Sequence, residues 1–259
     1  TATNESRMAD GSGYLSSHRN EQQAQPPWIK RGIGAALAMH GAGLGYGIDD
    51  PAGGRLSLNE AGQIEVAFSY EEFGQGLIAT MEIMLMDLFH CDPADISIII
   101  GDTDRVPHSG SSTASRSTTM AWMALQRLKP PFLEAILQQA QQLTGIPAQE
   151  LTTGKSGIRR KVDTEPSVDK GIYEAGELVL SYHELASQSA LDELIFDTEF
   201  AYPTTPDAVV GGHFLYTYAA VAAEVEVNTL TGNVRLLDTF HTVAAGPIIN
   251  PMGFIGQIE

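Results

Sequence analysis

The sequence has 259 residues, of which 43% are hydrophobic and 18% charged, a composition that supplies a real core and excludes a disordered chain. Lys and Arg number 15 against 32 Asp and Glu, a formal net charge of -17, so the summed field repels a polyanion and no nucleic-acid partner is expected. The single cysteine, Cys91, excludes a disulfide framework, a thiolate zinc site and a cysteine-ligated iron–sulfur cluster within this segment, and suits a reducing cytoplasm.

In chain order, residues 1–27 are rich in Ser, Asn, Gln and Gly and end on Pro26 and Pro27, which reads as a flexible leader or linker without the apolar core of a signal peptide. Nowhere does an apolar run approach the roughly 20 residues that span a bilayer, so no membrane contact is expected. Folding is expected from Trp28 onward, giving 28–259 as one domain or part of one. Ile33–Tyr46, Arg55–Leu58 and Gln63–Ser69 read as strands of one meander, with a turn at Asp50–Gly54. Leu77, Ile78, Met81, Met84, Leu85, Leu88 and Phe89 recur at helical spacing and predict a helix over 77–90, stopped by Pro93.

Ile96–Ile100 is a β-branched strand candidate, and a loop rich in Ser, Thr and Gly follows, from Asp102 to Thr113. A helix is expected from Ala114 to Leu128, broken by Pro130 and Pro131, and another from Phe132 to Leu143, closed by Gly145. Between Ala148 and Ser187 the pattern weakens to loops and short strands. Tyr216–Val227 and Val234–Val243 flank Asn228–Asn233 as a β-hairpin. Hairpins outnumber alternating βα units, so the expected class is α+β, mixed sheets with helices packed on them. The end of the sequence at Gly253–Glu259, without a polar tail, suggests an excised piece of a longer polypeptide.

Two loops carry candidate chemistry. Phe73, Gly74, Gln75 and Gly76 precede a strongly amphipathic helix, whose first turn leaves N–H groups unpaired and carries partial positive charge. The glycines would let a ligand approach the backbone, and Gln75 offers both an acceptor and donors. Alone, this string is better explained by a plain glycine turn. Ser109–Thr118, containing Ser112, Thr113, Ala114, Ser115, Arg116 and Ser117, gathers hydroxyls, amides and a guanidinium ahead of a second helix, a suitable seat for an oxyanion or equally an ordinary capping loop. Their recurrence favours a ligand.

Other patterns fail on mechanics. Gly154-Lys155-Ser156 mimics the end of a P-loop, but Gln149 stands where the first glycine must be. The glycines between Gly41 and Gly47 lack the spacing of a dinucleotide fingerprint. No histidines pair at metal-ligand spacing, and His90, His108, His213 and His241 read as structural or surface residues. Asp102 with Asp104, and Glu71 with Glu72, could form acid and base pairs but read more simply as solvated edges. No metal-ligating or catalytic side chain is assigned.

Taken in order, Glu72–Gly76 with its helix, Ile96 through Asp102, Thr103, Val106 and Pro107 to Ser109–Thr118, the hairpin residues Glu224, Val225, Glu226, Thr231 and Gly232, and terminal Asn250, Pro251, Gly256 and Gln257 resemble the molybdenum-binding subunit of the xanthine dehydrogenase and aldehyde oxidase family. The resemblance covers roughly residues 30–259. It implies a molybdopterin with molybdenum, with or without a nucleotide extension, contacted by Phe73, Gly74, Gln75, Gly76, Ser112, Thr113, Ala114, Ser115, Ser117 and Gln257.

It further implies oxidative hydroxylation of a purine-like N-heterocycle or an aldehyde, with electrons passing to 2Fe-2S centres and in some members to FAD on other parts of the parent protein. The family's glutamate base lies in a Gly-Glu-Pro motif after the Gln257 block and is not in these 259 residues. Gly176-Glu177-Leu178 echoes it only superficially. The segment alone is therefore expected to lack turnover and to hold cofactor poorly. The alternative from another class is a non-catalytic module that grips a phosphorylated ligand with the same two loops.

Overall fold

The computed structural model describes residues 26–110, 112–162, 176–203 and 212–258. Among them, in chain order, are β1 (Ile29–Ala42), β2 (Pro51–Leu58), β3 (Ile64–Phe68), α1 (Leu77–Phe89), β4 (Ile96–Ile100), α2 (Ser117–Thr144), β5 (Leu151–Gly154), β6 (Gly157–Arg160), β7 (Leu178–Ser181), α3 (Tyr182–Gln188), β8 (Ile195–Ala201), β9 (Leu215–Asn228), β10 (Val234–Ala244) and α4 (Pro251–Ile258). The strands form three sheets, ordered β1-β9-β10, β4-β3-β2-β8 and β5-β6-β7. Mixed sheets with helices packed on them make this an α+β fold.

The chain divides into two compact units, Thr1–Ala38 with Ala219–Val243, and Met39–Tyr218 with Ala244–Glu259. The leader expected at residues 1–27 lies outside the described residues except for Pro26 and Pro27. In the first unit the turn between β9 and β10 closes through Asn228 N–H to the Asn233 carbonyl at 2.9 Å and Gly232 N–H to the Asn228 carbonyl at 2.8 Å. Gly232 sits at φ 76, in the left-handed region that a tight hairpin needs and glycine adopts without strain. None of this unit's described residues is buried, and Leu37 is 86% exposed.

The core belongs to the second unit. β3 pairs antiparallel with β2 and parallel with β4, and β2 pairs antiparallel with β8. α1 connects the parallel strands β3 and β4, and its buried stripe Leu77, Met81, Met84, Leu85, Leu88 and Phe89 matches the apolar positions expected from the spacing except Ile78, which is exposed. α2 packs across β2, β8 and α1.

Several expectations change. β1 does not join a meander with β2 and β3 but belongs to the sheet with β9 and β10, and it stops at Ala42, before the left-handed glycines Gly43, Gly45 and Gly47. The turn expected at Asp50–Gly54 is instead the start of β2. Its glycines serve close approach: a methyl carbon on Gly53 would lie 2.5 Å from the Thr198 carbonyl oxygen, and one on Gly54 would lie 2.3 Å from the Phe68 ring. The short strands expected after Ala148 are present and pair as the antiparallel sheet β5-β6-β7, while β8, with its alternating burial, lies where no strand is expected.

The two helices expected on either side of Pro130-Pro131 are one continuous α2. Both prolines lie on its exposed side, while Met120, Ala121, Ala124, Leu125, Leu128, Phe132, Ile136 and Ala140 stay buried in one phase. Each proline removes a helical hydrogen bond at a cost of about 3 kcal/mol. Burial offsets this, because each large apolar side chain contributes about 1.5–3 kcal/mol. Phe132, directly after the prolines, is held edge-on between Phe89 at 5.6 Å and Phe196 at 6.2 Å between ring centroids. Gly145 closes α2 as expected, at φ 73 with its N–H on the Gln141 carbonyl at 2.8 Å.

Candidate functional site

Because β3 and β4 run parallel with Phe68 opposite Ile100, the loops that follow them leave from the same edge of the sheet. These are the two candidate loops, one running 69–76 into α1 and the other 101–116 into α2. The carboxyl ends of parallel strands are where open α/β sheets bind ligands, since the following helices begin there.

Serines and a glutamate join the loops directly. Ser69 N–H donates to Ser109 Oγ at 2.6 Å, the two hydroxyls lie 2.9 Å apart, and Ser69 Oγ donates to the Gly110 carbonyl at 2.6 Å. Farther out, Glu71 N–H donates to Ser112 Oγ at 2.8 Å and Ser112 N–H returns a bond to Glu71 Oε2 at 3.1 Å. Ser109 is fully buried, so the inner latch is dry and the outer one faces solvent. A third segment meets them where Gly43 N–H donates to the Ala114 carbonyl at 2.9 Å.

Inside the first loop the side chains fold back on their own backbone. Gln75 Oε1 accepts from Phe73 N–H at 2.8 Å, and Gln75 Nε2 donates to the Glu71 carbonyl at 2.7 Å. Among the described residues one of the two amide hydrogens has a partner, and Gln75 is exposed. Glu72 Oε1 accepts from Gly74 N–H at 2.8 Å and Gly76 N–H at 3.0 Å, while Oε2 accepts from Ile78 N–H at 3.0 Å. Desolvation works against its ionisation, but the N–H bonds from Ile78, Gly76, Gly74 and Leu77 outweigh it and hold the carboxyl below its ordinary range. The positive end of α1 is thus met by a carboxylate of the chain itself.

In the second loop Ala114 and Ser115 take φ 53 and 51, followed by right-handed Arg116. Ala114 and Ser115 therefore precede α2, although the periodicity started the helix at Ala114. Such a change of hand turns successive N–H groups toward one side. Thr113 and Ser115 are exposed, and Ser112, Ala114 and Ser117 are half-buried. Arg116 does not face a ligand. It is buried in an ion pair with buried Asp50, and Asp50 also accepts from Leu44 N–H at 2.7 Å through Oδ2, while its carbonyl takes Tyr202 N–H at 2.7 Å. The pair fastens the start of α2 to the 43–50 segment.

The loop that carries Phe73, Gly74, Gln75 and Gly76 is thus latched, through Ser69 and Glu71, to the loop that carries Ser112, Thr113, Ala114, Ser115 and Ser117. Gln257 is exposed on α4, whose first turn is capped by Asn250 Oδ1 accepting from Gly253 N–H at 3.0 Å; among the described residues no hydrogen bond ties it to either loop. Asp102 forms a turn, its Oδ1 accepting from Asp104 N–H at 3.1 Å. Gly154-Lys155-Ser156 is the β5–β6 turn, with Ser156 at φ 66. Glu177 is exposed just before β7, and its carbonyl accepts from Arg160 N–H at 3.0 Å. Sequence reasoning missed Ser69 and Asp50, whose partners lie tens of residues away and leave no local signal. It treated Glu71 and Glu72 as a solvated edge, although both bind backbone amides.

Known proteins share this chain's sequence and fold. Residues 7–259 match the molybdopterin cofactor-binding domain family. The chain is 50% identical over 232 residues to a probable xanthine dehydrogenase subunit of Bacillus subtilis (strain 168), covering 90% of this chain and 29% of that protein. It is 27% identical over 227 residues to the probable hypoxanthine oxidase of Escherichia coli (strain K12), covering 88% of this chain and 22% of that one. Quinoline 2-oxidoreductase from Pseudomonas putida 86 shares the fold with a TM-score of 0.66 at 17% identity, over 95% of this chain and 31% of its own. The aldehyde oxidoreductase of Desulfovibrio desulfuricans does so with 0.63 at 22%, over 95% and 23%. The chain thus spans less than a third of each of these relatives.

Proposed function

This chain belongs to the molybdopterin cofactor-binding domain family, and on that premise we propose that its loops 73–76 and 112–117 form part of the cofactor pocket of a molybdenum hydroxylase. The observation that carries this reading is the latching of both loops at one sheet edge through Ser69–Ser109 and Glu71–Ser112. Polar groups of two chain segments can then meet a single ligand without further ordering, which lowers the entropic cost of binding.

The residues fit such a group. Methyl carbons placed on Gly74 or Gly76 would meet no atom within 4 Å, so space lies open before that backbone. Gln75 offers its second amide hydrogen for a pterin or oxygen contact, Thr113 and Ser115 offer hydroxyls, and the small side chain of Ala114 leaves room for an approaching substrate. Gln257 is a further contact, made in the parent protein. When bound, the molybdenum cofactor supplies the oxidative hydroxylation chemistry, with water as the oxygen source. The residues of this chain bind and orient it, and the acid–base group lies elsewhere in the parent.

Residues 28–259 are on this reading part of one molybdopterin-binding domain, with 1–27 as its leader. The parent protein oxidises a purine-like N-heterocycle such as hypoxanthine or xanthine and passes electrons to 2Fe-2S centres on a partner domain or subunit. The naming of the two relatives as xanthine dehydrogenase and hypoxanthine oxidase supports a purine over an aldehyde. Steady-state assays of the parent on hypoxanthine, xanthine and an aromatic aldehyde, with its molybdenum content, test the proposal. Gln75→Ala should lower occupancy or turnover, and unchanged metal content and rate would remove the role assigned to the loop. The 259 residues alone should hold no stoichiometric molybdenum; a tightly bound equivalent would overturn that part.

A further inference from the structure

We propose that Glu72 is a positioning residue of this pocket, a built-in anion that holds the glycine loop in its ligand-facing shape. The inference rests on the pocket reading above. α1 begins without help from its own cap: Gly76 at the N-cap has no side chain to bond, and the first turn contains no acidic residue. Both loop glycines are left-handed, Gly74 at φ 107 and Gly76 at φ 81, in a backbone that would otherwise sample many conformations.

Glu72 removes that freedom by binding ahead along the chain. One oxygen gathers Gly74 and Gly76, and the other takes Ile78 at the start of the helix. Its neighbours act in other directions, Glu71 across to Ser112 and Gln75 back to Phe73 and Glu71. What remains turned outward is the Phe73 side, 72% exposed, and the second amide hydrogen of Gln75. Since Glu72 takes the Gly74, Gly76 and Ile78 amides, what this loop offers a ligand is chiefly the neutral Gln75 amide.

All of the groups facing Glu72 are donors, so only an ion that accepts through both oxygens satisfies them. A glutamine of the same shape would present an NH2 group to one set of N–H donors. Glu72→Gln therefore separates the charge-dependent role from simple space filling, and Glu72→Ala empties the place so that added acetate can enter it.

The test uses the full-length parent, with hydrogen exchange at Gly74, Gly76 and Ile78 and molybdenum per polypeptide as readouts. Glu72→Gln should speed exchange about tenfold, the equivalent of one lost charge-assisted bond, and reduce molybdenum occupancy. Glu72→Ala should lose more of both, and acetate should restore part of each in that variant but not in Glu72→Gln. Wild-type occupancy in Glu72→Gln, or failure of acetate to restore either readout in Glu72→Ala, overturns the inference while leaving the pocket standing. A wild-type parent that carries no molybdenum overturns the pocket itself.

Discussion

Replacing Ser109 by alanine should loosen the two loops far more than the matching change at Ser112. Ser109 Oγ, fully buried, accepts Ser69 N–H at 2.6 Å and shares a 2.9 Å bond with the Ser69 hydroxyl. The Ser109→Ala variant leaves that N–H without its acceptor, at about 1–3 kcal/mol, and loses a second bond worth about 0.5–1.5 kcal/mol. The methyl keeps the space filled, so little is added for a cavity, and the sum is about 1.5–4.5 kcal/mol. At Ser112 the lost acceptor for Glu71 N–H lies where water can replace it, for about 0.5–1 kcal/mol. Amide exchange at Ser69, followed by NMR, should quicken at least roughly 10-fold, and up to about 1,600-fold, in Ser109→Ala, at tenfold per 1.4 kcal/mol. A change below about threefold at Ser69, or an equal effect of both variants on urea stability, would refute the dry-latch argument.

Asp50→Asn removes the charge opposite Arg116 in a buried ion pair, so denaturant unfolding should show a loss of about 3–5 kcal/mol, and a loss under 1 kcal/mol would mean that the pair is not sealed from water. Gly53→Ala should destabilise more than Gly54→Ala, because the first meets the Thr198 backbone and the second a ring that can tilt; thermal melts give the order. Burial, helped by the nearby Asp95 charge, pushes the Cys91 thiol up to about 12, so a thiol reagent should label it only after unfolding. Glu72 titrates lower when folded than when unfolded, so its stabilisation is whole above the ordinary carboxylate range and is lost as pH falls through its depressed folded value. Amide exchange at Ile78 should show that loss on acidification, corrected for intrinsic rates, and Glu72→Gln should abolish the pH dependence.

The sequence by itself determined what repeats at short range. The buried stripe of α1, the β4 run, the closure of α2 at Gly145 and the β9–β10 hairpin all follow from periodicity and turn chemistry among neighbouring residues, and the two candidate loops were visible from their composition. Local rules misread Pro130-Pro131 as a break and Gly53-Gly54 as a turn, because what decided both was packing against Phe89, Phe196, Phe68 and β8. Tertiary structure alone decided that Ser69 meets Ser109 and that Glu71 meets Ser112. Those bonds join residues about 40 positions apart, and only the parallel pairing of β3 with β4 brings both loops to one edge. It likewise turned Arg116 inward to Asp50, since hydrogen-bonding partners are allotted by what the fold leaves unsatisfied nearby and not by residue type.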